Sequence, residues 1–239
     1  MRLRRTVVGV LSAYAGIFFV DQPLVGFAYA LGTFWFPNVG IAGLIGATVG
    51  MGVGYALKLP FATTGVNVYS SLLVGLSLGA YYELNANLLI LIVLSAALTV
   101  LLAATLRSFL WQLGHLPVLS LPFVIVALTA ALAASAYGGL EPYYAPSQLP
   151  PALFGDGLAV SAWADTFLAA LGATFFTTHP LVGLVFFVGI LLRSRYLALL
   201  SVAGYLSGQL VYTALAVEPP QGLLAWTGFN FSLTAMALG

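Results

Sequence analysis

The run Phe18-Phe19-Val20-Asp21-Gln22-Pro23-Leu24-Val25-Gly26 largely returns as Phe175-Phe176-Thr177-Thr178-His179-Pro180-Leu181-Val182-Gly183, 157 residues further on (Pro23 to Pro180). A second pair stands at nearly the same distance. Ser70 through Leu78-Gly79 matches Asn230 through Leu238-Gly239, 160 residues apart (Gly79 to Gly239). Two matched blocks at almost one spacing restrict the chain to folds built from a duplicated unit.

The solvent of that unit is lipid. Of 239 residues, 62% are hydrophobic and only 5% charged, whereas a soluble domain carries roughly 25% charged residues. So little charge cannot cover a water-facing surface, and the mean hydropathy of +1.07 agrees. Several apolar runs reach about 18 residues or more, the length that crosses a ~30 Å hydrocarbon core at 1.5 Å per residue. The first run is followed by the repeated block and not by a small-residue cleavage site, so the N-terminus reads as retained. The expected class is an all-α polytopic integral membrane protein. The sequence has no cysteine, which excludes disulfides, thiolate metal sites and cysteine nucleophiles. A net charge of +1 argues against a nucleic-acid partner, which calls for a basic face.

Arg2, Arg4 and Arg5 precede the first apolar run and place the N-terminus in the cytoplasm by the positive-inside rule. Residues 6–36 are too long for one upright span and too short for two. Pro23 removes a helix donor and restricts Gln22 before it. The expectation is a tilted half-helix over 6–19, a break near Asp21-Gln22 and a helix from Pro23 to about Phe36. Spans follow at about 40–57, 64–82, 87–106 and 117–137. Their turns fall at Pro37-Asn38 outside, Lys58 inside, Glu83 outside and Arg107 inside.

A proline-rich linker over 138–160, with Pro142, Pro146, Pro150 and Pro151 and no Lys or Arg, is the one clear boundary. It separates a first transmembrane repeat, residues 1–137, from a second, residues 161–239. The second starts from the outside and is therefore inverted. It comprises a half-helix at 161–176, a helix from Pro180 to Leu192, a span at 196–217 that exits to Glu218-Pro219-Pro220, and a last span at 222–239. All seven positive charges then lie in the cytoplasm, and five of the six acids lie opposite. The fold class expected is two inverted repeats, each with a tilted re-entrant pore helix and several transmembrane helices. The second repeat is expected to be incomplete, since Gly239 comes before any counterpart of residues 80–138.

The sixth acid, Asp21, falls at the helix break near mid-membrane. There it either caps the helix that starts at Pro23 or takes part in permeation. His179 holds the place of Gln22 in the second block, and Pro180 that of Pro23. A capping or packing role suits His179 better than metal ligation. His115 sits in a Gly-His-Leu-Pro turn near Arg107. The sequence has no phosphate loop, paired-carboxylate site or Ser/His/Asp arrangement, so no enzyme, metal or cofactor is expected. The series Gly40, Gly43, Gly46, Gly50, Gly54, with Gly204 and Gly208 later, reads as close helix packing in lipid. The segment Leu116-Pro117-Val118-Leu119-Ser120-Leu121-Pro122-Phe123 breaks regular helix inside an apolar stretch. Such backbone is tolerated at membrane depth only where it is buried in protein or lines a polar cavity. Ser120 is its hydroxyl.

Phe-Phe-x-x-x-Pro-Leu-Val-Gly twice, Leu-Pro-x-x-Ser-x-Pro-Phe once and Ser/Asn-x-x-Leu-x-x-x-x-Leu-Gly twice resemble the urea transporter family, in its bacterial form, over nearly the whole chain. The resemblance implies two inverted halves, a narrow pore within each protomer, a homotrimer, and passive flow of urea down its gradient. The family's pore helices carry Gln-Val-x-Phe or Glu-Val-x-x, whose Gln and Glu accept hydrogen bonds from the amides of urea. Those positions fall here on Gly16 and Ala173, so both acceptors are missing. Three residues on, Phe19 and Phe176 resemble the flat apolar slot for a planar solute. The family's Leu-Thr-x-Pro-Phe matches Leu119-Ser120-Leu121-Pro122-Phe123, which brings Ser120, Leu121 and Phe123 to the pore. Its Phe-Asn pair is Tyr69-Ser70 in the first half and Phe229-Asn230 in the second.

The expected function is therefore facilitative, channel-like transport of urea or a similar small neutral amide, most simply across a bacterial inner (cell) membrane. The alternatives are a channel for another small solute, ammonia or water, and a non-transporting membrane subunit. The expected partners are the solute, the lipid bilayer and further copies of the chain in a homotrimer. Either the chain is a fragment or shortened relative, or another chain completes the lumen. A coupled transporter is disfavoured, since Asp21 alone is placed to carry a coupling ion.

Overall fold

Four aromatic rings form the centre of the molecule. Phe18, Tyr29, Phe175 and Phe186 are fully buried, and each ring centroid lies between 4.5 and 6.0 Å from the other three. Phe175 follows Phe18, and Phe186 follows Tyr29, by the same 157 residues that separate the matched blocks. The core is thus built where the two matched segments meet.

The computed structural model describes residues 2–59, 68–136, 138–143, 162–215 and 224–239. Ten helices occur among them: α1 (Arg2–Gly16), α2 (Pro23–Thr33), α3 (Pro37–Ala56), α4 (Tyr69–Tyr81) and α5 (Ala86–Gly114), then α6 (Leu121–Ala134), α7 (Ala162–Ala173), α8 (Pro180–Arg193), α9 (Arg195–Ala214) and α10 (Leu224–Leu238). Proline starts several of them, as its fixed φ and missing N–H allow in a first turn: Pro23, Pro37, Pro122 and Pro180 all stand there. Helices α3, α5 and α9 are long and apolar enough to cross a bilayer. Helices α2, α6 and α8 are apolar but shorter, and α1–α2 and α7–α8 are two-piece units broken at matching places. The chain is an all-α integral membrane protein.

Local packing repeats as well. A Cβ on Gly26 would fall 1.8 Å from the Leu11 carbonyl oxygen, and one on Gly183 would fall 1.8 Å from the Leu168 carbonyl oxygen. Leu11 and Leu168 are themselves counterparts, so both helix pairs cross at glycine in one way. Gly46 likewise meets the Ser71 carbonyl at 2.5 Å, and Gly204 the Phe231 carbonyl at 2.4 Å. The close packing read from the glycine series is present in α3–α4 and in α9–α10.

Helices α2 and α8 join the two segments. The Tyr29 hydroxyl donates to the Phe186 carbonyl. Gly32 of α2 lies under the Phe186 ring, and its counterpart Gly189 of α8 lies under the Tyr29 ring. When residue i meets the counterpart of j, and j meets the counterpart of i, the relation is two-fold. Helices α5 and α6 extend the bundle beside α3 and α4, through a second apolar cluster that includes Val74, Leu78, Leu88, Ile92 and Val126.

One end of this bundle is tied together by backbone groups. Asn38 donates to the carbonyls of Gly79 and of Tyr82, the latter at 2.8 Å, and accepts from the Leu84 N–H at 2.9 Å. The Glu83 N–H donates to the Glu141 carbonyl and the Tyr143 N–H to the Tyr81 carbonyl, both at 2.8 Å. The Pro37-Asn38 turn, Glu83 and Glu141 therefore share an end, as the alternation of spans requires.

The structure departs from the sequence expectations in several places. Helix α5 runs to Gly114 and not to about 106, because no glycine or proline interrupts it earlier; Arg107 lies on the helix and not beyond it. The chain is non-helical over residues 115–120, as the two prolines imply, but this stretch is the link between α5 and α6, with Pro122 in the first turn of α6, and not a break within one span. Helix α2 ends at Thr33, short of Phe36, and α7 at Ala173, short of residue 176. Asp21 does not cap α2: Gln22 holds the cap position in extended backbone, with no side-chain bond, and Asp21 is exposed. Within the linker, residues 138–143 are non-helical. Residues 144–160, with Pro146, Pro150, Pro151 and Asp156, lie outside the described residues, as does the Glu218-Pro219-Pro220 turn.

Candidate functional site

Helices α1 and α7 end in the same turn. After Gly16 the Phe19 N–H bonds back to the Gly16 carbonyl at 3.1 Å, and the Val20 N–H to the Ala15 carbonyl at 3.2 Å. After Ala173 the Phe176 N–H bonds to the Ala173 carbonyl at 2.9 Å, and the Thr177 N–H to the Gly172 carbonyl at 3.0 Å. Such a six-to-one closure needs a left-handed residue just before its last donor, and glycine usually supplies it. Here phenylalanine does so twice, with φ of 59° at Phe19 and 60° at Phe176. A side chain in that conformation costs about 1–2 kcal/mol. Backbone strain of this kind persists where the surrounding structure holds it, often at a functional site.

The turn separates adjacent rings. Phe18 and Phe175 enter the buried tetrad, while Phe19 and Phe176 line a cavity of about 650 Å³. The cavity is walled by the ends of α1 and α7, by Tyr69 and Leu73 of α4, by the end of α5, by the link to α6, and by Phe229 and Asn230 of α10. Phe123 of α6 packs edge-on against Phe176 at 6.1 Å, and Tyr81 meets Phe176 at 6.5 Å. Aromatic rings, Phe123 and Phe176 among them, therefore form part of the cavity wall.

Of the residues expected at a pore, Gly16, Phe19, Ser120, Phe123, Ala173 and Phe176 all line this one cavity. Ser120 occupies the cap position of α6 without making a capping bond, so its hydroxyl is not committed to the helix. Leu121 does not line the cavity; it is 42% exposed on the first turn of α6. The reason is helical spacing: Ser120, Phe123 and Val124 share a face at three- and four-residue intervals, and Leu121 falls off it. Tyr69 lines the cavity, whereas Ser70 is buried within α4.

The helix-break residues Asp21, Pro23, His179 and Pro180 stand outside the lining. His179 accepts from the Leu181 N–H through Nδ1 at 3.2 Å, which caps α8, and its ring lies 4.8 Å from that of Trp35. This is the capping role its position suggested.

Two groups in the wall were not anticipated. Thr174, the counterpart of Ile17, lines the cavity, and its buried Oγ1 has no hydrogen-bond partner among the described residues. A buried hydroxyl in that state costs about 1–3 kcal/mol. The only signal in the sequence is the exchange of an apolar residue for a hydroxyl at one matched position. The second group is Arg107, Trp111 and His115, carried to the wall by the extra turns of α5, with Trp111 and His115 rings 4.5 Å apart. Chemically, the described lining is aromatic and aliphatic, carries scattered hydroxyl and amide groups together with Arg107 and His115, and contains no carboxylate. It can hold a small neutral polar solute between flat apolar surfaces. A model of the urea transporter family matches this chain over residues 7–239.

Proposed function

The chain belongs to the urea transporter family, and on that footing we propose that it is a facilitative, channel-like path for urea or a similar small neutral amide. The observation that carries the reading is the pair of left-handed phenylalanines, Phe19 and Phe176, at one cavity wall. Two strained turns at matched positions are hard to account for as packing, since glycine would close both helices at lower cost. Each side chain contributes a flat apolar face to the lining. Ser120, in the same lining at the start of α6, offers the passing solute a hydroxyl.

In this reading residues 1–137 and 161–239 are inverted repeats joined by an extracytoplasmic linker. The N-terminus is cytoplasmic, the membrane is a bacterial inner membrane, and the chains assemble as a homotrimer. The two-fold contacts between α2 and α8 and the shared end of Asn38, Glu83 and Glu141 support the arrangement. Passive flow needs no coupling ion, in keeping with the described lining, which holds no carboxylate.

The test is stopped-flow light scattering on proteoliposomes, comparing urea with glycerol, ammonia and water. Urea flux that saturates, and that Phe19→Ala and Ser120→Ala both reduce, is the expected result. Flux of ammonia or water alone would move the assignment to another solute. No flux above protein-free vesicles would make the chain a non-transporting subunit.

A further inference from the structure

The two matched turns are unlike at four places, Ala15/Gly172, Gly16/Ala173, Ile17/Thr174 and Val20/Thr177, and the middle two pairs line the cavity. Where the second has Ala173, 1% exposed, the first has Gly16, and a Cβ built there meets no atom within 4 Å. Where the first has Ile17, the second has Thr174 with its unpartnered Oγ1. The wall at the first turn is open and apolar; at the second it is closed, with a threonine whose hydroxyl is buried without a partner among the described residues.

We infer that the cavity accepts planar amides bearing one short N-alkyl group in preference to urea itself, with the alkyl arm in the space at Gly16 and the amide head on Thr174. The inference rests on the transport function proposed above and names its substrate class. A methyl group moved from water to the wall beside Ile17 favours the seated solute about fourfold. A hydroxyl both donates and accepts, so Thr174 serves either the carbonyl or an N–H of the head. Threonine also uses two χ1 rotamers where valine uses one, so its hydroxyl and methyl can exchange places as a solute passes. A long acceptor side chain at residue 16 would fill the space and reward a second free amino group. Glycine does neither.

The full chain in proteoliposomes tests this with N-methylurea and urea as probes, each permeability corrected for protein-free vesicles. In the unaltered protein the ratio of N-methylurea to urea permeability is expected to exceed one. Gly16→Leu lowers that ratio at least about tenfold, the scale on which a pocket discriminates one methylene, and Gly16→Ala falls between. A Cβ at residue 16 enters open space, and Gly16→Ala also gains helix propensity, so the alanine variant folds. Thr174→Val lowers the permeability of both solutes several-fold, and Thr174→Ser restores it. A ratio that Gly16→Leu leaves unmoved, or a Thr174→Val variant that conducts like the unaltered protein, overturns the inference while persisting urea flux leaves the transport function standing. If neither solute crosses faster than in empty vesicles, both readings fall.

Discussion

Tyr29 and Phe186 occupy matching places in the two segments, and the hydroxyl of the first donates a 3.1 Å hydrogen bond to the carbonyl oxygen of the second. Their rings stand 5.1 Å apart, edge to face. Tyr29→Phe keeps the ring and removes the bond, so it should lower stability by about 1 kcal/mol. Tyr29→Ala also empties one corner of the tetrad and should cost about 3–5 kcal/mol. Unfolding of the detergent-solubilised protein by heat or SDS measures both; equal losses would mean that the hydroxyl, not the ring, joins the segments.

Gly26→Ala and Gly183→Ala should be destabilising to a similar degree. Each puts a methyl group on a backbone carbonyl that cannot swing aside as a side chain would. Gly52→Ala is the control, for nothing lies within 4 Å of its Cβ, and relief of glycine's helix penalty should stabilise it by up to about 1 kcal/mol. The readout is monodisperse yield with melting temperature. A Gly26→Ala protein that melts with the unaltered one would show that α1 and α2 do not cross as described.

Adjacent phenylalanines should respond in opposite directions. Phe18→Ala opens the buried centre and should cost about 3–5 kcal/mol. Phe19→Gly relieves a left-handed side chain that is 43% exposed, so stability should hold or rise by about 1 kcal/mol, while discrimination among solutes in the liposome assay is lost. Parallel destabilisation of the two variants would remove the case for strain held at the cavity.

The two helix breaks should differ in their dependence on the cap residue. His179→Ala removes the acceptor for the Leu181 N–H and should cost about 0.5–2 kcal/mol. Gln22→Ala removes no capping bond and should be near neutral. Comparable melting temperatures for the two variants would assign His179 a packing role against Trp35 instead.

Features set by local chemistry were legible in the sequence. Proline at residues 23 and 180 announced the breaks, and the recurrence of Phe-Phe and Pro-Leu-Val-Gly announced that both breaks are built alike. Of the cavity residues, Ser120 was singled out by its proline-broken segment, while Gly16, Phe19, Phe123, Ala173 and Phe176 came from the resemblance, not from periodicity. Of two neighbouring phenylalanines, which one faces a lumen depends on the sign of one φ angle, and no side-chain pattern encodes it. Leu121 was misplaced for a related reason, since proximity in sequence does not fix the face of a helix. Arg107, Trp111 and His115 were missed at the cavity because α5 continues past a charge that reads as a span's end. Thr174 was missed because one hydroxyl in an apolar helix has many ordinary explanations until its missing partner is seen.

The exchange of Ile17 for Thr174 at matched positions has a consequence in counting. Urea's two amino ends are interchangeable, so exchanging them leaves its seating unchanged whatever the walls. A solute whose ends differ has two distinct poses, which identical walls would hold equally, a degeneracy worth a factor of two, about 0.4 kcal/mol. Walls that differ lift that degeneracy, and the asymmetry becomes an orientation filter. A duplicated scaffold that lets one matched pair drift apart thereby acquires a sense of which way round its passenger travels.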